Sequence, residues 1–454
     1  MYSSSCFKGK IALPLLMLFV VMFAFFGDMA AVAHAATSPH ALHLKQESSQ
    51  SSTGNFDIHP GEPLVLYFSY PTCDVSCGNE TWYTNNIPPN TSYIFEPPTT
   101  TGSNSTKWTF QSTKDTPLGS YTLTIGATSD NPNVKLGSLD ITINVRGRLF
   151  IFLQGLTSSL SQNAFWDTKS IGPFLQTTYS DANFLTFSYH GSDKAGNPDS
   201  YGCIDTFNQN ISTYVKRLNS QIQRYLTNRP NTDVDLIGHS MGGVIAIGYL
   251  AYLDKTSGLK GYIPGTPGGK IQGVVTLDSP LGGIEKGPLN KYFDLVSSYY
   301  RGLPQCSRIK NTKVPLTSLR DLTSLYTFYT PRGGQASISQ VLFNSRGTNE
   351  NLLRKAEQDG TASLTIGNLI DFVYDARVCV HGVGPEFLDS QWDLDQGNNS
   401  GVYARAFIDG TYPCTGGNGI GDNHGIVFVE KPVQTGLQQF LDGNTPTDLA
   451  VPPN

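Results

Sequence analysis

The sequence predicts two successive domains: a small all-β sandwich over residues 56–146, then an α/β domain with a mostly parallel sheet over 147–443. Three observations predict it. Residues 56–145 alternate apolar and polar positions with a period of two and show no helical period. After Arg146, short continuous apolar runs alternate with helical spacing, as in a sheet covered on both faces. Between one such run and an apolar helix stands Gly238-His239-Ser240-Met241-Gly242-Gly243, a serine framed by glycines at a strand-to-helix turn.

Composition sets the outer bounds. The chain has 454 residues, 39% hydrophobic and 15% charged, with 46 Gly and 27 Pro, which excludes a coiled coil, a collagen or a disordered acidic tail. The formal charge of −5 leaves no basic surface for a phosphate backbone, so no nucleic-acid partner is expected. Lys8 and Lys10 precede an apolar run over 11–26, and Ala33-His34-Ala35 follows as a small-x-small cleavage site. These are the parts of a secretory signal over 1–35. An uncleaved anchor is the competing reading, with Pro14 and the Ala-His-Ala site favouring removal. The mature protein is expected outside the cell or attached to its surface.

Cys6 leaves with the signal. Cys73, Cys77, Cys203, Cys306, Cys379 and Cys414 remain, an even number in an oxidising setting. Pairing within domains is simplest, as 73–77, 203–306 and 379–414; buried free thiols are the alternative. No His lies at metal-finger spacing from a Cys pair, so neither zinc nor any other metal is expected, and no cofactor.

Residues 36–55, rich in Ser, Gln and Thr, read as a flexible linker. In the sandwich, Leu64, Leu66, Phe68 and Tyr70 alternate, as do Tyr121, Leu123, Ile125 and Ala127, then Leu139, Ile141, Ile143 and Val145. Turn signals at Pro97-Pro98, Pro117-Leu118-Gly119 and Asp130-Asn131-Pro132 separate them. The Pro117-Leu118-Gly119-Ser120-Tyr121 run and its Thr-rich strand resemble the immunoglobulin-like modules appended to secreted bacterial proteins. That resemblance implies an architecture and no ligand.

In the α/β domain, strands are expected at 149–153, 184–189, 234–238, 274–278 and 364–367. Ile211, Val215, Leu218, Ile222 and Tyr225 form one helix face, closed by Pro230. Pro432 opens a last helix carrying Val433, Leu437, Phe440 and Leu441, and 444–454 reads as a disordered tail.

A side chain at 238 or 242 would collide across the turn that lifts the Ser240 hydroxyl. A serine needs a base within reach and an acid to orient that base, in the chain order Ser, acid, His on such a fold. After Ser240 only His381 and His424 remain, and His424 sits seven residues before Lys431 and the last helix, where the base belongs. Asp371, just past the fifth apolar run, is the first choice for the acid, with Asp375 and Asp278 as competitors. The developing oxyanion needs two backbone N–H groups, from Met241 and from Leu156 after Gln154-Gly155. His239, beside the nucleophile, is expected to pack rather than react.

With these residues in place, 147–443 resembles the α/β-hydrolase superfamily, in particular secreted bacterial lipase-like and esterase-like members. The likeness rests on 238–243, on Thr276-Leu277-Asp278-Ser279-Pro280-Leu281-Gly282-Gly283 and on Asn423-His424-Gly425. It implies a Ser240–Asp371–His424 triad, Leu156 and Met241 as oxyanion donors, and hydrolysis of small-molecule or lipid esters through an acyl-enzyme. Where such lipases often read His-Gly, this chain has Gln154-Gly155. Residues 284–358 form an insertion in which Tyr292, Val296, Tyr299 and Leu303 share a helical face, either a lid over the site or a helix packed on the sheet. Acyl transfer, thioester or amide cleavage use the same triad, and a non-catalytic surface-binding protein is the rival of another class. A monomer is expected.

Overall fold

The computed structural model describes residues 43–45, 54–70, 77–101, 105–258, 263–279, 281, 317–318, 320–322, 349–368, 402–407 and 427–449. Two compact units divide the chain: 1–56, 62–112 and 120–143 form the first, and 57–61, 113–119 and 144–454 the second. The expected signal, residues 284–316, 319 and 323–348 of the expected insertion 284–358, and the positions of Asp371, Asp375, His381, His424, Cys73, Cys306, Cys379 and Cys414 lie outside the described residues.

The first unit is built on two sheets. One has the order β1 (His43–Lys45), β3 (Pro63–Ser69), β7 (Ser105–Ser112), β5 (Thr91–Glu96), with every neighbouring pair antiparallel. The other runs β2 (Asn55–Ile58), β9 (Ser138–Val145), β8 (Gly119–Ser129), β4 (Asn79–Asn85), β6 (Thr99–Thr101). Alternation selects the inward face: Leu66, Phe68 and Tyr70 are buried, as are Leu123, Ile125 and Ala127, then Ile141 and Ile143. The Trp82 ring stacks on Tyr70 at 5.3 Å and on Phe95 at 6.0 Å, joining side chains of the two sheets. Polar residues also point inward. The Trp82 indole N–H donates to Thr100 Oγ1 at 3.0 Å, and that hydroxyl donates to the buried Glu80 carboxylate at 2.5 Å. One expectation is corrected here. Within 36–55, read as a linker, His43–Lys45 pairs with Tyr67–Ser69 as a strand, because backbone pairing needs no apolar pattern.

The second unit holds a six-stranded sheet in the order β11 (Asn183–Thr186), β10 (Gly147–Leu153), β12 (Thr232–His239), β13 (Lys270–Leu277), β14 (Ala362–Asn368), β15 (Val402–Phe407). All five pairings are parallel. β10 and β12 are buried along their whole length, which explains the unbroken apolar run Leu149–Leu153 in β10 and the buried Val234, Leu236 and Ile237 in β12. Leu149, Ile151 and Leu153 face one core with α2 (Ile211–Leu226) and α3 (Met241–Ser257). Phe150 and Phe152 face another with α1 (Ile171–Thr178) and α5 (Lys431–Leu441). A further helix, α4 (Asn349–Gln358), contributes the buried Leu352, Leu353 and Ala356 to the first core.

Helix α2 starts where the Asn210 side chain accepts from the Thr213 N–H at 2.8 Å, a capping bond for an otherwise orphan donor. Its Ile211, Val215, Leu218 and Ile222 are fully buried, each contributing about 1.5–3 kcal/mol of apolar transfer. In α5, Pro432 stands in the first turn and Val433, Leu437, Phe440 and Leu441 are buried. A second correction follows α5: 444–449 is not a disordered tail. The Asn444 N–H donates to Gln439 O, the Thr447 N–H to Gln439 Oε1, and Leu449 is buried against Gly436, where a Cβ would lie 2.5 Å from Leu449 Cδ1.

The amino ends of β10 and β12 carry buried charge. Arg146 grips Asp233 through Nε at 2.8 Å and Nη2 at 2.6 Å, and His59 Nε2 lies 3.4 Å from the same carboxylate. Arg148 Nε donates to Asp235 at 2.9 Å and its Nη2 to Leu441 O at 2.9 Å, with the guanidinium 4.4 Å from the Tyr179 ring centre. Burial pushes the Asp233 carboxyl up, but the adjacent His59 and Arg146 outweigh it and hold it below its usual range. A depressed folded pKa means the contribution is complete above the unfolded value, about 3.9, and is lost as pH falls through the folded one. The gap in unfolding free energy between wild type and Asp233→Asn should therefore shrink from pH 5 to pH 3. Urea titrations at each pH measure it, and a constant gap contradicts this account.

Candidate active site

Strand β12 ends at His239 and helix α3 begins at Met241, so Ser240 alone makes the turn. Its φ of 55° lies in the left-handed region and its ψ is −130°, a conformation that costs ordinary residues of order 1–3 kcal/mol. The Ser240 N–H donates to Leu277 O on β13 at 3.0 Å, and its carbonyl accepts from the Gly243 N–H at 3.0 Å. The residue is held from both sides while its side chain stays partly exposed.

The flanking glycines are demanded by close backbone approach. A Cβ on Gly238 would sit 2.5 Å from Gly243 N, and one on Gly242 would sit 2.0 Å from Leu153 O. The loop after β10 presses on the serine itself. A Cβ on Gly155 would lie 2.5 Å from Ser240 Cβ and 2.9 Å from Ser240 Oγ. Three strand ends thus meet at one point, those of β10, β12 and β13, all at the carboxyl edge of the sheet where open α/β sheets bind ligands.

Met241 buries its side chain completely, and as the first residue of α3 its N–H has no partner within the helix. Leu156 is partly buried against the core on the α2–α3 side. Among the described residues no acceptor takes the Leu156 or Met241 amide. Both stand in segments touching the serine, and the positive end of α3 adds to the field there. His239 is buried, its ring 4.5 Å from that of Phe428, and so occupies the core rather than the cleft. Asp278, one residue past β13, is fully buried at a φ of 42° and donates its N–H to Ile366 O at 2.9 Å.

The spacing of motifs did not reveal the bracing of the loop 154–159. Gln154 Nε2 donates to Tyr201 OH at 3.2 Å and to Ser159 O at 3.3 Å, and the Tyr189 hydroxyl donates to Gln154 O. Ser158 Oγ donates to Gly155 O at 2.8 Å, and the Thr157 N–H to Thr206 Oγ1 at 3.1 Å. Burial pushes the Tyr201 hydroxyl up to about 12, against the opposing effects of Ser158 and Gln154, so it stays protonated at neutral pH. Nearby, Cys203 is disulfide-bonded, as is Cys77 in the first unit. The departure at Gln154-Gly155 was the sole sequence signal that this loop is held unusually.

Residues 145–323 match the family model for a PGAP1-like alpha/beta domain. The matched domain spans β10 to β13 and includes Gly155, Leu156, Ser240 and Met241; it ends before Asp371 and His424. No curated protein matches the chain. Among solved structures, a lipase-esterase related protein from Clostridium acetobutylicum is similar at 16% identity over 65% of this chain and 95% of its own, with a TM-score of 0.30. A peroxisomal alpha-beta-hydrolase from Saccharomyces cerevisiae is similar at 11% identity over 80% of this chain and 88% of its own, with a TM-score of 0.32.

Replacing Gly155 by Ala puts a methyl group into the serine. If Ser240 acts as a nucleophile, turnover of an activated ester should fall about 100-fold or more, the scale of losing one oxyanion donor, while cooperative unfolding is retained. Steady-state kinetics beside thermal denaturation checks this, and wild-type turnover in Gly155→Ala would contradict it.

Proposed function

We propose that the second unit is a serine hydrolase cleaving carboxylic esters of the lipase or esterase type, with Ser240 as nucleophile, His424 as base and Asp371 as acid. The strained Ser240 turn, pressed by Gly155 and flanked by two amides without acceptors among the described residues, is the observation that carries it. Chain order and tether length support the partners. Asp371 follows the end of β14 by three residues, so its Cα is bounded to about 11 Å from that of Asn368. His424 precedes Phe428 by four residues, which bounds it to about 14 Å from a residue whose ring packs on His239, the neighbour of Ser240.

In this reading His424 takes the hydroxyl proton as Ser240 Oγ bonds to the ester carbonyl carbon. The oxygen that gains the charge accepts from the Leu156 and Met241 amides. When the ester C–O bond breaks, the alcohol leaves with that proton. Water, deprotonated by the same imidazole, then releases the acid and restores the serine. Every group required is a side chain or amide of this protein, and no cofactor is called for. The proposal extends to an exported chain freed of 1–35, to an immunoglobulin-like first unit acting as spacer or surface attachment, and to disulfides 73–77, 203–306 and 379–414.

Labelling with a fluorophosphonate probe and turnover of nitrophenyl esters from acetyl to palmitoyl test the reading. Wild type should label and turn over, whereas Ser240→Ala and His424→Ala should lose about 10⁴-fold or more in kcat, with Ser240→Ala unlabelled. A wild-type chain that neither labels nor hydrolyses any ester favours the surface-binding role.

A further inference from the structure

The oxyanion loop 154–159 is neither helix nor strand, yet it must present one amide at a fixed point above Ser240. Its conformation is unusual at Thr157, whose φ of 68° lies in a region that a β-branched residue seldom occupies. Such a conformation persists where the surroundings over-determine it. The group that meets Thr157 is Thr206, whose side chain is fully buried and whose Oγ1 accepts the Thr157 N–H at 3.1 Å.

The Thr206 hydroxyl has one proton, which goes to Cys203 O at 2.7 Å. Its lone pairs are therefore aimed at the loop, and the bond has a direction as well as a length. The seat itself is anchored. Cys203 is disulfide-bonded, the Gly202 N–H donates to Asp205 at 2.9 Å, and Ser318 Oγ donates to Thr206 O at 2.7 Å. On the other flank, Tyr201 OH accepts from the Gln154 side chain. Leu156 stands between these two braces.

We infer that Thr206, through its bond to the strained Thr157 amide, is a positioning residue that sets the Leu156 N–H for the oxyanion, with Tyr201 bracing the other side of the loop through Gln154. The inference rests on the serine-hydrolase reading. A donor that strengthens its bond only as charge develops on the substrate oxygen lowers the barrier without tightening ground-state binding. Displacing it by an ångström costs up to about 100-fold in rate. Thr206 touches neither substrate nor Ser240, and acts through the loop.

Thr206→Val keeps the shape and removes both hydrogen bonds, and Thr206→Ser restores the hydroxyl. For the full chain, kcat per fluorophosphonate-titrated site on nitrophenyl butyrate is expected to fall about 10–100-fold in Thr206→Val, with KM within twofold. Affinity for an alkylboronic acid, which mimics the tetrahedral oxyanion, should fall in parallel, and Thr206→Ser should recover to within a few-fold of wild type. If Thr206→Val does not fold, Tyr201→Phe provides the same split between kcat and KM. The inference is overturned by a kcat per titrated site within twofold of wild type in the folded variant. A change in KM with kcat untouched, or a Thr206→Ser as impaired as Thr206→Val, also overturns it. A wild-type chain without turnover removes the serine-hydrolase reading and this inference together.

Discussion

The second unit is organised by backbone approaching backbone with no room for a β-carbon between. At Gly238, Gly242 and Gly155 the distances a Cβ would have to its neighbours are 2.5, 2.0 and 2.5 Å, so the ends of β10 and β12 and the start of α3 are locked at hydrogen-separated contact. That approach is possible because the strands are parallel and adjacent, with Leu153 paired to Gly238 and His239 to Leu277. The carboxyl ends of three strands finish level, and the loops leaving them converge on one residue. Ser240 takes its conformation from this crowding and contributes little to it.

The same sheet is polarised from end to end. Its amino edge carries two guanidinium–carboxylate clamps, Arg146 on Asp233 and Arg148 on Asp235, buried and hydrogen-bonded where the strands begin. Buried pairs of this kind are costly to break and specify register, since shifting β10 against β12 by one residue would separate both at once. At the carboxyl edge the hydrogen bonds that hold the loop 154–159 are made by hydroxyls, amides and carbonyls, and Asp278 is buried one residue past β13. Fixed dipoles there can favour charge that appears only during a reaction.

Much of this was legible because hydrophobic period and burial coincide. β10, β12, α2 and α5 were readable since the residues that recur in the sequence are the ones that face the cores. β4 and β7 escaped notice because Glu80, Thr84, Thr106 and Ser112 point inward and break the apolar alternation. β15 escaped because Arg405 interrupts a short edge strand. At the site, Ser240 and its glycines announce themselves by spacing, since each answers a local steric demand. Thr206 and Tyr201 do not, because they reach backbone or side-chain atoms 49 and 47 residues away through single hydrogen bonds.

The Arg148 guanidinium finds its carbonyl on Leu441, 293 residues further along the chain. The strand containing it is second in the sheet, and the helix that completes its surroundings is the last described. The carboxylate partner of Arg148, Asp235, comes 87 residues on, but this second acceptor is reached only by closing a loop of 293 residues. Contacts of so large a sequence separation slow folding, and this one ties the second strand of the sheet to the helix Lys431–Leu441.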